Sequence, residues 1–176
     1  MFGTKKVEEG ETRIIEMREG KSSVFIESTP QRVWDCISDV KNYDQWVTWY
    51  VAKLAPHLER LEKPGDFFDF ETKLILGIKL TGRSVVVDRS PPQRTSFCFI
   101  GPYRGGGEFV LQPIANGTRV DYTVWGELPS SYLGKIVDKI LLADSIQNHM
   151  NDHLERLKKH VETSEQCAVE SAGKAA

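Results

Sequence analysis

The 176-residue chain has few of the features that mark several large protein classes. Its three cysteines (Cys36, Cys98 and Cys167) are widely spaced and form no CxxC motif, so neither a disulfide framework nor a structural zinc site is expected. No apolar run approaches the roughly 18 residues of a membrane-spanning helix, and no apolar signal segment stands near the first residue. These absences predict a cytoplasmic protein without stable membrane insertion.

The chain also lacks an excess of either charge. It has 23 basic and 25 acidic residues, a net charge of −2, so nucleic acid is not an expected partner. The length predicts a single domain. We expect that domain over residues 21–162. We expect residues 1–20 to form an N-terminal extension with room for an extra strand at 12–17, which turns at Glu19-Gly20 into the next strand, and residues 163–176 to form a flexible tail.

The order of local patterns predicts an α+β fold. A first strand at 23–27 is followed by the helix start Ser28-Thr29-Pro30 and by a second short helix at 40–46. Turn signals such as Asn116-Gly117 then separate six strands, at 49–54, 67–76, 78–88, 95–100, 107–113 and 118–128. An apolar stripe predicts a long helix over 131–161. We expect a curved antiparallel sheet of about seven strands wrapped around this C-terminal helix.

Several segments resemble the SRPBCC superfamily of START-like helix-grip proteins, which includes polyketide cyclases and lipid-transfer domains. They are the runs IESTPQRVW, SDVKNYDQW, GEFVLQP, GTRVDY and LERLK, at 26–34, 38–46, 107–113, 117–122 and 154–158. The resemblance covers about 140 residues and is carried by structural motifs. It implies a hydrophobic cavity between the sheet and the long helix. We expect a hydrophobic small molecule as partner and no cofactor.

Strand alternation indicates which side chains would face such a cavity. The inward set is rich in aromatic residues, which equally suits a filled core. The small or polar residues Gly82, Ser84 and Gln147 on the same faces favour a cavity with polar contacts. The expected ligand-binding residues are Trp46, Trp49, Tyr50, Phe68, Phe70, Thr72, Leu80, Ser84, Phe97, Phe99, Tyr103, Arg104, Phe109, Tyr122, Val124, Ile140 and Gln147.

The segment GPYRGGG at 101–107 contains three consecutive glycines, which are costly to order. One interpretation is a flexible hairpin loop. The other is a mobile lid at the cavity mouth, with Tyr103 and Arg104 as gating or headgroup contacts.

Catalytic signals are weak. His149 and His153 stand four residues apart, but the HExxH pattern and a third ligand are missing, so we expect a solvated helix face and no metal site. The motif GxSxG is absent as well. Tyr122 and His57 are the only candidates for acid–base chemistry, and neither is supported by a motif.

The leading functional interpretation is therefore non-catalytic binding, with or without transport, of a lipid, an isoprenoid quinone or a polyketide-like aromatic molecule. The first alternative is a polyketide aromatase/cyclase or dehydratase. The second is an assembly or interaction module for a membrane or redox complex. The sequence leaves a homodimer open.

Overall fold

The computed structural model describes residues 14–47, 50–53, 58–73, 79–101, 104–129 and 139–173. These residues form seven strands, two α-helices and a 3-10 helix. In chain order the elements are β1 (Ile14–Ile26), α1 (Pro30–Ser38), the 3-10 helix (Val40–Gln45), β2 (Tyr50–Lys53), β3 (Phe67–Lys73), β4 (Lys79–Ser90), β5 (Arg94–Ile100), β6 (Arg104–Ile114), β7 (Gly117–Pro129) and α2 (Lys139–Gly173).

The described strands form one antiparallel sheet in the order β1-β7-β6-β5-β4-β3-β2. Strands β2 to β6 each pair with the next strand in sequence, and β1 pairs with β7. Helix α2 buries Met150, Leu154, Leu157 and Val161 in the same core as the inner face of the sheet. The predicted α+β helix-grip fold, with two short helices after the first strand, is confirmed.

Helix α1 begins where the sequence predicts. The Thr29 hydroxyl accepts a hydrogen bond from the Arg32 amide at 3.3 Å, and Pro30 occupies the first turn, where its missing N–H costs nothing. The 3-10 helix is tied to α1 by Tyr43, whose buried hydroxyl donates to the Ile37 carbonyl at 2.6 Å. Burial raises the pKa of that hydroxyl above its usual value, so it stays a neutral donor. This pair of short helices forms one side of the core.

Alternation along the strands predicts the buried face correctly wherever side chains are described. The buried residues on these strands include Phe68, Phe70, Ser84, Val86, Phe99, Phe109, Leu111, Val120, Tyr122 and Val124. Opposite them lies an exposed face, on which the Asp69 carboxylate pairs with the Arg83 guanidinium at 2.7 Å. The core therefore sits between the inner sheet face, the short helices and α2.

Two boundaries differ from the prediction. The expected turn at Glu19-Gly20 is wrong, because β1 is one strand with a register irregularity between Met17 and Gly20. It therefore crosses the boundary expected at residue 20. Helix α2 continues through Gly173, beyond the boundary expected after residue 162. Its predicted start at residues 131–138 lies outside the described residues. Among the described helices, none combines the length and the apolar character needed to span a membrane.

Candidate functional site: a cavity between the sheet and the long helix

An apolar cavity of about 40 Å³ lies between the inner face of the sheet, the short helices and α2. That volume has room for roughly three water molecules. Most of its wall is aliphatic or aromatic. The described residues that line it are Ile37, Tyr43, Trp46, Val47, Leu61, Phe68, Ser84, Val86, Arg89, Thr95, Phe97, Phe109, Tyr122 and His153.

Trp46 brings a hydrogen-bond donor to this wall. Its indole is 3% exposed and is held edge-on by Tyr43, with ring centroids 5.0 Å apart. Within the described part of the chain, the buried Nε1–H has no acceptor. A buried donor without a partner costs roughly 1–3 kcal/mol, so this group favours a partner in the cavity.

His153 of α2 also lines the cavity. Its side chain is 2% exposed, and its ring stands 6.2 Å from Trp46 and 6.4 Å from Tyr122. Burial lowers the pKa of His153 to about 3, and the nearby His149 and Arg156 contribute in the same direction. The imidazole is therefore neutral at pH 7. The expectation that His153 belongs to a solvated face is wrong.

Arg89 supplies the charged group of the wall. One terminal nitrogen donates to the Leu61 carbonyl and the other to the Ser38 hydroxyl, the latter at 2.6 Å. The guanidinium carbon lies 4.4 Å from the centre of the Trp34 ring, a cation–π contact. Its Nε–H is buried and has no acceptor among the described residues. No sequence pattern marks Arg89 as a site residue.

Glycines facing large rings limit the size of the cavity. Gly82 and Phe70 are cross-strand partners, and a Cβ at Gly82 would lie 2.8 Å from the tip of the Phe70 ring. Gly107 and Phe97 are also cross-strand partners, and a Cβ at Gly107 would lie 2.6 Å from the tip of the Phe97 ring. The sequence suggested that Gly82 opens a void. The structure contradicts this, because the Phe70 ring occupies that space.

The same pairing corrects the interpretation of the glycine-rich segment. Gly105, Gly106 and Gly107 belong to β6 and pair with β5 on one side and β7 on the other. They are neither a hairpin loop nor a lid. Arg104, expected at the cavity mouth, is exposed at the start of β6 and does not line the cavity. Residues 102–103 lie outside the described residues.

The structure brings one part of the predicted binding set together. The predicted residues that line the cavity are Trp46, Phe68, Ser84, Phe97, Phe109 and Tyr122. Phe70, Phe99 and Val124 are buried in the core but do not line the cavity. Gln147 does not face the cavity either. Its side-chain amide donates to the Lys21 carbonyl at 2.8 Å and so joins α2 to β1.

Other predicted residues cannot be placed at the cavity. Trp49, His57 and Tyr103 lie outside the described residues, so the weak catalytic role of His57 stays a prediction. For Tyr50, Thr72, Leu80 and Ile140 the structure describes the backbone of β2, β3, β4 and α2 only.

Sequence reasoning missed Arg89, Thr95 and His153 as polar lining residues. His153 had a detectable signal, because it lies three residues after Met150 and four before Leu157, both buried. Arg89 had no such sequence signal. It stands two residues after the exposed Val87, so alternation places it on the outer face, and the register irregularity of the strand is not visible in the sequence. Among the described residues, no group of three or more histidine, cysteine, aspartate or glutamate side chains is placed to hold a metal ion.

The sequence matches the family described as "Polyketide cyclase / dehydrase and lipid transport" over residues 17–162. The chain belongs to this family. The match spans β1 to most of α2 and includes every described element that lines the cavity. Membership implies either hydrophobic ligand binding or polyketide cyclase activity.

Solved structures with the same fold support the assignment of the family fold. TTHA0849 from Thermus thermophilus matches with a TM-score of 0.68 at 19% identity, covering 84% of this chain and 99% of that one. A conserved protein from Geobacillus kaustophilus gives 0.65 at 17%, covering 84% and 97%. The di-domain ARO/CYC StfQ from the steffimycin biosynthetic pathway gives 0.66 at 15%, covering 84% and 51%. No curated protein matches the sequence.

Proposed function

We propose that this protein binds a hydrophobic small molecule in the cavity between the sheet and α2, without transforming it. The observation that carries the proposal is the composition of the wall: aromatic and aliphatic side chains enclose a few inward polar groups. Apolar burial would supply the affinity, at about 25 cal/mol per Å², and the polar groups would orient the ligand.

A ligand larger than a few waters requires side chains of the wall to move. Leu61, Arg89 and Phe97 are the described lining residues that keep partial solvent exposure. The others are buried among neighbours. We therefore expect the ligand to enter beside these three residues and to displace the Leu61 and Phe97 side chains.

The protonation state of His153 supports a role of the cavity in ligand binding over a role in catalysis. A general base works best when its pKa is near the working pH. The pKa of His153 is about 3, so it takes up a proton poorly at pH 7. The neutral ring is still suited to hydrogen bonding with an uncharged part of a ligand.

The test is binding of a neutral apolar dye, N-phenyl-1-naphthylamine, followed by its fluorescence. We expect saturable binding to the wild-type protein. Ser84→Leu, which adds a large side chain to the cavity wall, should abolish it. Thr81→Leu is the matched control, since Thr81 is exposed on the same strand.

Two outcomes would contradict the proposal. One is the absence of saturable binding by the wild-type protein. The other is equal binding by wild type and Ser84→Leu, provided that thermal unfolding shows both to be folded. Mass spectrometry of freshly purified protein, native and then denatured with organic extraction, would identify the class of any co-purified ligand.

A second candidate, a polyketide cyclase or dehydratase, is favoured by the contact between Tyr122 and His153. Their rings lie 6.4 Å apart on one wall of an apolar cavity, where a hydroxyl and an imidazole could act on one substrate. Incubation with an aryl poly-β-keto ester should then yield a dehydrated product by mass spectrometry. Conversion no faster than in buffer, or equal conversion by Tyr122→Phe, would eliminate this candidate.

A further inference from the structure

Arg89 is a partly buried cation whose charge is not neutralised by the described part of the protein. None of the described carboxylates approaches its guanidinium within 4.0 Å. Its two hydrogen bonds go to neutral acceptors, the Leu61 carbonyl and the Ser38 hydroxyl. A charge removed from water without a counterion is unfavourable, so the arrangement calls for an explanation.

One of the acidic groups that act electrostatically on Arg89, Asp66, is engaged elsewhere. The carboxylate of Asp66 accepts hydrogen bonds from the Glu62 and Lys63 amides at 2.7 and 3.0 Å. Desolvation lowers the pKa of Arg89 from its usual value, and the charge of Arg60 adds to the shift, while the carboxylates of Asp66 and Glu62 oppose it. The burial cost therefore outweighs the help from nearby acids.

The donors of Arg89 that remain are placed for a ligand. A guanidinium has five N–H groups, and the two hydrogen bonds use two of them. The buried Nε–H has no acceptor among residues 14–47, 50–53, 58–73, 79–101, 104–129 and 139–173. Nε–H and a terminal N–H together form the edge that binds a carboxylate through two parallel hydrogen bonds.

A second, independent observation points the same way. The Nε1–H of Trp46 is also buried on the wall of this cavity without an acceptor in the described residues. Both unmatched groups are donors, and neither can accept a hydrogen bond. A ligand that satisfies them must bring acceptor oxygens, and one that balances Arg89 must bring negative charge.

We propose that the ligand is a hydrophobic organic acid whose carboxylate binds Arg89, while its apolar body lies against the aromatic wall. This inference rests on the proposed function and narrows it to a chemical class. The carboxylate takes the Nε edge of Arg89, and the Trp46 indole donates to the same end of the ligand. Phe97, Phe109 and Tyr122, whose rings lie 4.2 to 6.5 Å from one another, contact the apolar part.

The test compares two probes that differ in the head group alone, 2-naphthoic acid and 2-naphthylmethanol, by calorimetry at pH 7.5. We expect the wild-type protein to bind the acid at least ten-fold more tightly than the alcohol. The reason is that hydrogen bonds between Arg89 and a charged carboxylate are stronger than those to a neutral hydroxyl. Arg89→Gln should remove this preference, so that this variant binds the acid and the alcohol with affinities within two-fold of each other. Arg104→Gln is the matched control, because Arg104 is exposed and does not line the cavity.

A second variant keeps the test decisive if Arg89→Gln does not fold. Arg89→Lys retains the charge but has no Nε–H and no planar edge, so it should bind the acid at least three-fold more weakly than wild type. Undiminished affinity in Arg89→Lys would overturn the assignment to the Nε edge.

The outcomes separate this inference from the proposed function. Equal wild-type affinity for acid and alcohol would overturn the organic-acid inference and leave hydrophobic binding intact. A preference for the acid that survives Arg89→Gln would overturn the role of Arg89. Failure of both probes to bind would contradict the proposed function together with the inference.

Discussion

The imidazole of His153 stands edge-on to the indole of Trp46, with ring centroids 6.2 Å apart and an interplanar angle of 69°. The contact joins α2 to the residue that ends the 3-10 helix, and Tyr122 of β7 lies on another side of the same imidazole. Three elements far apart in sequence thus meet at one neutral histidine on the cavity wall.

This burial predicts a specific acid sensitivity. The pKa of His153 is about 3 in the folded protein and about 6.5 when unfolded, so between those values the unfolded chain binds the extra proton. Folding stability contributed above pH 6.5 is therefore lost as the pH falls towards 3. We expect His153→Phe to reduce the slope of unfolding free energy against pH by about 1 kcal/mol per unit between pH 6 and 4.

The measurement is urea unfolding at a series of pH values. His160→Gln is the matched control, because it removes another histidine from the same helix without touching the cavity. It should follow the wild-type slope. An unchanged slope in His153→Phe would refute the assignment of the acid sensitivity to this side chain.

The Phe70 ring above Gly82 predicts a non-additive pair of substitutions. Gly82→Ala places a Cβ 2.8 Å from that ring, which Phe99 holds at 5.5 Å, so it should destabilise the protein by about 1–3 kcal/mol. In a Phe70→Leu background the obstructing ring is absent. The added cost of Gly82→Ala should then fall by about 1 kcal/mol or more. Additive free energies in a thermal-unfolding cycle would contradict this account.

Much of the fold could be predicted because its signals are local. Alternation of apolar residues located the strands, and Pro30 located the start of α1. The Asn116-Gly117 signal located the last hairpin, although the pairing of Ile114 with Gly117 makes Ala115 and Asn116 the turn residues. Asn116 has a φ of 65°, which an asparagine adopts more readily than most residues.

The site was less predictable because its decisive contacts join distant segments. The three glycines at 105–107 look like a loop until the partners on β5 and β7 are known. Gln147 lies within the apolar stripe of α2, but its amide reaches the Lys21 carbonyl, 126 residues earlier in the chain. Arg89 became a candidate only when the structure set its side chain beside Trp34, Ser38 and Leu61.

The ion pair between Asp69 and Arg83 on the outer sheet face should matter little. The side-chain hydrogen bond from Arg83 lowers the pKa of Asp69, so any stability it contributes is present at neutral pH and lost as the pH falls below about 4. Both side chains are more than 40% exposed, and such pairs contribute about 0–1 kcal/mol. Urea unfolding of Asp69→Asn at pH 7 should show a loss within that range. A loss above about 2 kcal/mol would contradict it.

Gln147 should contribute to the stability of the fold and not to ligand binding. Because its amide donates to the Lys21 carbonyl and to the Asn151 side chain, Gln147→Ala should lower the free energy of unfolding by about 1 kcal/mol. It does not line the cavity, so dye binding should be unchanged. Asn148→Ala, at the exposed neighbouring position, should change neither quantity. Weakened binding with unchanged stability in Gln147→Ala would place this residue at the ligand after all, and the hydrogen bond to β1 would not explain its presence within the apolar stripe.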